Sequence, residues 1–306
     1  MVNLSKRIRF GFMIAAVILS LFSACKDKST AFRFVFMTDM HVQPEGLALE
    51  GFQAAINEVN QLKPAFVITG GDLIMDALGQ TEARADSLYT LYQSLLPEFK
   101  MPVHNTLGNH EVFGLYEESG INPDHPFYGK QMFRDRLGQG ETYFSFNYEN
   151  WHFIILDGIG FTPERRYVGT IDSVQLNWLK EDLAMLDKST PIVLSTHIPL
   201  FSIYGQMKNG PTSAMSEGSV VTNALQVMHA LEAYNLKLVL QGHLHIFEEI
   251  RYGRTTFITG GAVSGAWWNG SRDGTPEGFV VVDVTGNEFD SEYQTYGWHA
   301  ENNSAD

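Results

Sequence analysis

The sequence predicts an α/β fold: one domain of two packed sheets with helices on the outside. Three observations carry this reading. Across residues 32–110, apolar strand-like runs alternate with amphipathic helical stretches, an order that implies parallel strands joined by crossover helices. The last third of the chain is instead strand after strand on short connections, which suits antiparallel pairing. Five apolar runs end in residues able to ligate a metal, and strand ends in α/β proteins are where ligand sites gather.

Phe32–Met37 is rich in aromatic and β-branched residues and predicts a buried strand, ending at Thr38-Asp39-Met40-His41. Leu47–Leu62 places Phe52, Ile56 and Val59 at helical spacing, and Pro64 marks its exit. Ala65–Thr69 is a second strand, leading into Gly70-Gly71-Asp72. Thr81–Phe99 carries Leu88, Leu91, Tyr92 and Leu95 on one helical face. Pro102–Thr106 leads into Leu107-Gly108-Asn109-His110-Glu111. Residues 113–140 are irregular, with a short helix expected at Gln131–Leu137. Thr142–Phe146 and Trp151–Leu156 predict a hairpin across Asn147–Asn150. Asp172 is placed to cap a helix whose apolar face holds Leu176, Leu179, Leu183 and Leu186. Pro191–Ser195 is a buried strand ending at Thr196-His197. Ser202–Gly218 reads as a loop and Val220–Tyr234 as a helix. Leu236–Leu240 leads into Gly242-His243-Leu244-His245, and strand-like runs follow at Phe247–Arg251, Thr255–Thr259, Phe279–Asp283 and Phe289–Tyr293. In an extended chain His243 and His245 would point to one side and Leu244 away from it.

The chain of 306 residues has a net charge of −14 and one cysteine, Cys25. The acidic balance argues against a nucleic-acid-binding surface, which needs a basic face. A lone cysteine allows no internal disulfide. Lys6, Arg7 and Arg9, an apolar run over Phe10–Phe22 and then Ser23-Ala24-Cys25 make a secretory signal. The apolar run falls short of the roughly 20 residues of a transmembrane helix.

Asp39 and His41, Asp72, Asn109 and His110, His197, and His243 and His245 mix carboxylate, amide and imidazole donors. Such donors suit transition metals better than calcium. They are too many for one tetrahedral ion, whereas two ions sharing a bridging carboxylate account for the number.

In this order, Asp-x-His, Gly-Asp, Gly-Asn-His-Glu, His and Gly-His-x-His resemble the calcineurin-like metallophosphoesterase superfamily, across residues 39–245. The resemblance implies a four-layer α-β-β-α sandwich of two mixed sheets, with a dinuclear site at the strand ends. It implies that Asp39, His41 and His245 hold one ion, that Asn109, His197 and His243 hold the other, and that Asp72 bridges them. His110 would be the catalytic residue, donating a proton to the leaving oxygen, and a metal-bridging hydroxide would be the nucleophile. The ions would be two divalent or mixed-valence transition metals, Mn, Fe or Zn. Some branches carry an aspartate three residues after the bridging one, to orient that histidine, and others a ligand tyrosine. Here the position is Met75, with Asp76 beside it, so a tyrosine-ligated ferric site is not expected; Asp76 either takes over the orienting role or, the favoured reading, is a plain helix-start residue.

The N-terminus is similar to the lipobox of bacterial lipoproteins, with Phe22 where leucine is more frequent. This implies a signal peptide over residues 1–24, lipidation at Cys25, a tether over 25–31, a single domain over 32–299 and a tail over 300–306. Lys26 after the cysteine favours the outer membrane of a bacterial envelope. The function expected is extracytoplasmic, metal-dependent hydrolysis of a small phosphorylated substrate, with a diesterase or broad esterase favoured. A phosphate-scavenging monoesterase and a non-catalytic metal-bearing binding lipoprotein are the alternatives. Tyr204, Trp267 and Trp268 are candidates to line the substrate cleft, and Arg165, Arg166 and Arg272 to meet an anion. Residues 265–279 are similar to a C-terminal segment of some secreted metallophosphoesterases. His104, His125, His152, His229 and His299 lack a motif and read as structural.

Overall fold

The computed structural model describes residues 30–300. The signal peptide, Cys25 and most of the tether and tail therefore lie outside the described residues. Among the described residues, no helix is long and apolar enough to cross a membrane.

Thirteen strands and six α-helices alternate along the described chain. They are β1 (Ala31–Met37), α1 (Ala48–Leu62), β2 (Val67–Thr69), α2 (Glu82–Leu95), β3 (Val103–His104), α3 (Gln131–Arg136), β4 (Phe144–Tyr148), β5 (Trp151–Leu156), β6 (Ile159–Phe161) and β7 (Tyr167–Gly169). Then follow α4 (Ser173–Ala184), β8 (Pro191–Thr196), α5 (Tyr204–Asn209), α6 (Ala224–Leu231), β9 (Asn235–Gln241), β10 (Phe247–Tyr252), β11 (Thr255–Gly260), β12 (Phe279–Thr285) and β13 (Glu288–Gln294). One sheet has the order β13-β12-β1-β2-β3 and the other β10-β11-β9-β8-β5-β4. β6 and β7 form a separate hairpin.

Both sheets are mixed. β1, β2 and β3 run parallel, as do β5, β8, β9 and β11. β12 is antiparallel to β1 and β13, β10 to β11, and β4 to β5. The side-chain alternation of the strands explains the layers. Phe34 and Phe36 of β1, Phe153 and Ile155 of β5, and Leu238 and Leu240 of β9 pack into one core with β12 residues Val280 and Val282. Their neighbours Val35, Met37, Ile154, Leu156 and Val239 join a second core with helix residues such as Phe52, Ile56, Leu88 and Leu179. Successive residues point to opposite faces, so strands buried on both faces need sheet on one side and helix on the other.

Several elements differ from expectation. The second helix ends at Leu95, and Pro97 places a 3-10 turn over Leu96–Glu98. β3 is only two residues long and half-buried, so the Asn109 loop does not follow an apolar strand. The first sheet hairpin turns tightly at Glu149-Asn150, with Glu149 in the left-handed region (φ 52°). β6 and β7 were not expected, and the stretch read as a loop over Ser202–Gly218 contains α5. The helix read from Val220 begins only at Ala224. The late strands are not all antiparallel, because β9 skips β10 and pairs in parallel with β11.

Candidate metal centre

The parallel strands β1, β2, β8 and β9 all end at the same edge, where the two sheets face each other. The loops that leave them stay tightly bonded. Asp39 N donates to Gly71 O (3.0 Å), His41 N to Asp72 O (2.9 Å) and Gly242 N to His197 O (2.9 Å). Bonds also cross between the sheets, from Val263 N to Thr38 O (2.9 Å) and from the His243 amide to Asp39 Oδ2 (2.9 Å). Glycine is required where these loops touch. A Cβ on Gly108 would overlap the amide nitrogen and Oδ1 of Asp72, and one on Gly242 would overlap the Thr38 hydroxyl.

This packing brings the seven ligand candidates together in two groups. In the first, His41 Nε2 lies 3.0 Å from His245 Nε2, which is 3.3 Å from Asp39 Oδ1. In the second, His197 Nε2 lies 3.1 Å from Asn109 Oδ1, 3.2 Å from His243 Nδ1 and 3.2 Å from Asp72 Oδ2. Asp72 Oδ2 is also 3.8 Å from His41 Nε2, so this one oxygen faces both groups. Asp39, His41 and His197 are fully buried.

The strand-alternation account of His243 and His245 does not hold. β9 ends at Gln241, and both histidines have positive φ, 71° and 57°. Asp39 (55°), His41 (46°) and Asp72 (53°) share that left-handed backbone. Such strain costs about 1–3 kcal/mol per residue and persists where surrounding structure holds it. Here turns rather than extended strands aim the donors. Leu244 N returns to Gly242 O (2.8 Å), and the Asp39 carboxylate accepts from both Thr38 Oγ1 (2.6 Å) and the His243 amide.

The donor chemistry fits a pair of metal ions. His197 Nδ1 bonds Gly70 O (2.7 Å) and His245 Nδ1 bonds Gly265 O (2.6 Å). A carbonyl can only accept, so each Nδ1 carries a proton and each Nε2 is left facing a carboxylate oxygen. That pairing calls for a cation between, and a histidine fixed by a carbonyl behind it is the usual metal-ligand arrangement. His41 Nδ1 is the exception, buried without a partner among the described residues. The electrostatics agree. Burial pushes the His197 imidazole down, but Asp72 outweighs this and raises it to about 9. Burial pushes the Asp39 carboxyl up, yet His245 and its hydrogen bond hold it at about 2. Burial and the neighbouring His197 together drive His243 down to about 4. The carboxylates thus draw positive charge into the cluster, a demand that divalent ions meet.

His110 stands at the rim. Its Nδ1 bonds the Met75 carbonyl, its Nε2 lies 3.8 Å from Asp72 Oδ2, and its ring meets His41 edge-on at 4.5 Å. Asp76 neither orients it nor starts a helix, since α2 is capped by Thr81: the Asp76 carboxylate accepts from the Leu78 amide (2.9 Å) and from Gln80 Nε2 (3.2 Å) in the loop before it. A backbone carbonyl holds the histidine instead. Glu111, next in the chain, had no role in the sequence reading. Its buried carboxylate accepts from the amides of Asp72, Leu73, Ile74 and Gly108 at 2.7–3.1 Å and so locks the Asp72 turn to the Asn109 loop. Its place in the Gly-Asn-His-Glu run was the available signal.

The candidate substrate contacts divide. Trp268 is buried, packs on Trp298 and donates from Nε1 to His41 O (3.1 Å), so it supports the His41 loop and is closed to a substrate. Trp267 is half-buried at the mouth, 4.5 Å from the His245 ring and 6.0 Å from His41, with the Arg272 guanidinium 5.2 Å over it. The Tyr204 hydroxyl bonds Asp273, which also holds Lys208 (2.7 Å). Arg165 is spent on backbone carbonyls, and Arg166 pairs with Glu118 at 3.4 Å. The motif-free histidines are away from the cluster: His104 stacks on Phe146 at 4.0 Å, and His152 bridges Asn147 and Asp182 at 2.8 Å each.

Residues 32–247 match the family model described as calcineurin-like phosphoesterase, and residues 258–305 match the model for the C terminal of calcineurin-like phosphoesterase. Among solved structures, the chain is similar to a dimetal phosphatase from Danio rerio, at 16% identity and a TM-score of 0.57, over 87% of this chain and 99% of that one. It is also similar to GAP50, the anchor in the inner membrane complex of Plasmodium, at 16% identity and a TM-score of 0.54, over 87% of this chain and 85% of that one. At these identities the likeness is one of fold. No curated protein sequence matches the chain.

Proposed function

The chain belongs to the calcineurin-like phosphoesterase family and is a metallophosphoesterase, and from that premise we propose that it hydrolyses phosphodiesters or a broad range of phosphate esters outside the cytoplasm. The observation that carries the site assignment is the single oxygen, Asp72 Oδ2, shared by two clusters of donors. Asp39, His41 and His245 would hold one ion, Asn109, His197 and His243 the other, and Asp72 would bridge them. When bound, the ions supply Lewis-acid polarisation of the phosphoryl oxygens and a water acidic enough to ionise near neutral pH.

The protein's own residues do the rest. Asn109 adds a ligand oxygen without a further negative charge, which keeps the centre receptive to an anion. His110, with Nδ1 committed to the Met75 carbonyl, keeps Nε2 facing the site and holds there the proton that the leaving oxygen takes. Asp72 Oδ2 lies 3.8 Å from that nitrogen. Trp267 walls the mouth beside His245.

One feature favours a diester over a monoester. Arg165, Arg166 and Lys208 are each engaged by protein acceptors, which leaves Arg272, stacked over Trp267 with its Nε unbonded among the described residues, as the cation at the mouth. A dianionic monoester, whose second pKa is about 6, would be better served by more than one such cation. The envelope location and the lipid at Cys25 rest on the basic, apolar, small-residue order that ends at the cysteine. The anchor structure in Plasmodium shares this fold, which keeps a non-catalytic binding protein as the second reading; the poised His110 speaks against it.

Purified protein loaded with Mn or Zn should hydrolyse an aryl phosphodiester, and an aryl phosphate more slowly. No turnover of either under any metal sinks the enzyme reading, and faster monoester turnover selects the scavenging phosphatase. Cys25→Ser should move the expressed protein from the detergent phase to the aqueous phase on phase separation. Unchanged partition refutes the anchor.

A further inference from the structure

The His243 side of the mouth carries two tyrosines that the ligand set does not use. Tyr167 opens β7 and stands edge-on to His243, with ring centroids 5.9 Å apart at 89°. Tyr116 lies on the loop that follows His110, its amide on the Leu78 carbonyl at 2.9 Å. The Arg166 guanidinium lies 4.7 Å over its ring. Tyr89, Tyr92, Tyr293 and Tyr296 all spend their hydroxyls on protein acceptors at 2.6–2.9 Å. The hydroxyls of Tyr116 and Tyr167 have no such acceptor among the described residues, and neither is an enclosed, stranded atom.

These two side chains are held in place together. Arg165, on the turn between β6 and β7, donates to the carbonyls of Gly114, Leu115, Tyr116 and Ile121 at 2.6–3.3 Å. The hairpin that carries Tyr167 and the loop that carries Tyr116 are therefore one braced unit beside the second ligand group. A phenol carries its proton near neutral pH, so this wall beside His243 offers two neutral donors that no acceptor among the described residues has claimed.

We propose that Tyr116 and Tyr167 bind the substrate by donating hydrogen bonds to the non-bridging oxygens of its phosphoryl group, and that this neutral wall gives the site its preference for a monoanionic diester. The assignment rests on the phosphoesterase reading above. Neutral donors match a single negative charge without demanding a second, whereas a site built for a dianion gains more from a fixed cation.

The test compares Tyr116→Phe, Tyr167→Phe and the double variant with wild type, each as the Mn-loaded full protein. Three quantities are read: metal content, affinity for inorganic phosphate by calorimetry, and kcat/KM for an aryl phosphodiester. Each single variant should keep both ions and lose about tenfold or more in phosphate affinity and in kcat/KM, as expected for a hydrogen bond to a charged group. The double variant should lose more, with the aryl phosphate affected less than the diester. Phosphate affinity and kcat/KM within about twofold of wild type, with metal retained, would overturn the assignment. If wild type binds phosphate but turns over no ester, the esterase reading falls while the calorimetry still decides the tyrosines.

Discussion

The floor and the rim of the site are built in different ways. On the floor, Asp39, His41, Asp72, Asn109 and His197 are buried, and their positions are set by backbone hydrogen bonds and left-handed turns. On the rim, Tyr116, Tyr167, Tyr204 and Trp267 are half-buried and positioned by other side chains: Arg165, Asp273, Arg272 and His245. A donor set for two ions tolerates little displacement, so it is written into the chain as short, local patterns. A substrate wall can be assembled from separate loops, and its chemistry is set by which loops happen to meet. Substitutions on the floor should therefore act through metal, and those on the rim through substrate.

Asp72→Asn should break the floor most completely. It removes the charge that both donor groups share, so the protein should lose metal and its kcat/KM should fall beyond the about 10–100-fold typical of outer-shell partners. Metal analysis and steady-state kinetics check this, and full metal content with normal turnover would contradict a bridging role. His110→Ala should leave both ions bound and lower kcat by about 10²–10⁴-fold, most with poor leaving groups, as for a displaced general acid. Retained activity would remove His110 from the chemistry. Glu111→Gln tests whether the floor depends on its scaffold. Its amide nitrogen would face one of four backbone donors, at a cost of about 1–3 kcal/mol, and metal affinity should weaken by about 10–100-fold. Thermal unfolding and metal titration read the two effects.

Trp267→Ala, on the rim, should change KM more than metal content, by less than about tenfold. Equal loss of metal would move Trp267 to the floor. The smallest effect belongs to a brace remote from both, where Asp182 accepts from His152 (2.8 Å) and Ser145 (2.7 Å). Burial works against that carboxylate, but the two hydrogen bonds hold its pKa below the usual value. It therefore stabilises the fold above the unfolded pKa of about 3.9, and this contribution is lost as pH falls through the folded value. Asp182→Asn should lower the melting temperature at pH 7, shrink that difference toward acid, and leave metal content untouched.

What could be read from the sequence follows the same division. The strand runs of β1, β5, β8 and β9 were legible because most of their residues are buried, on both faces, and apolar. The gathering of the seven ligand candidates was legible because six of them sit within a few residues of the end of a buried strand; Asn109, after the two-residue β3, was marked by its Gly-Asn-His-Glu run instead. How His243 and His245 are aimed was not, since positive φ at histidine leaves no mark in composition. β6, β7 and α5 were missed because they are three to six residues long and are held by distant partners. Trp267 and Trp268 show the limit most plainly: neighbours in the chain, one borders the site and the other is sealed beneath it. Tyr116 and Tyr167 are far apart in sequence, and only the Arg165 brace brings them together.

If the cluster holds two ions, Asp72 Oδ2, which faces both donor groups, would lie between them. Anomalous scattering from a crystal of the Mn-loaded protein tests it most directly. Two peaks about 3.5–4 Å apart, one beside Asp39, His41 and His245 and the other beside Asn109, His197 and His243, are the expected result. A single peak, or a pair away from Asp72, would contradict it.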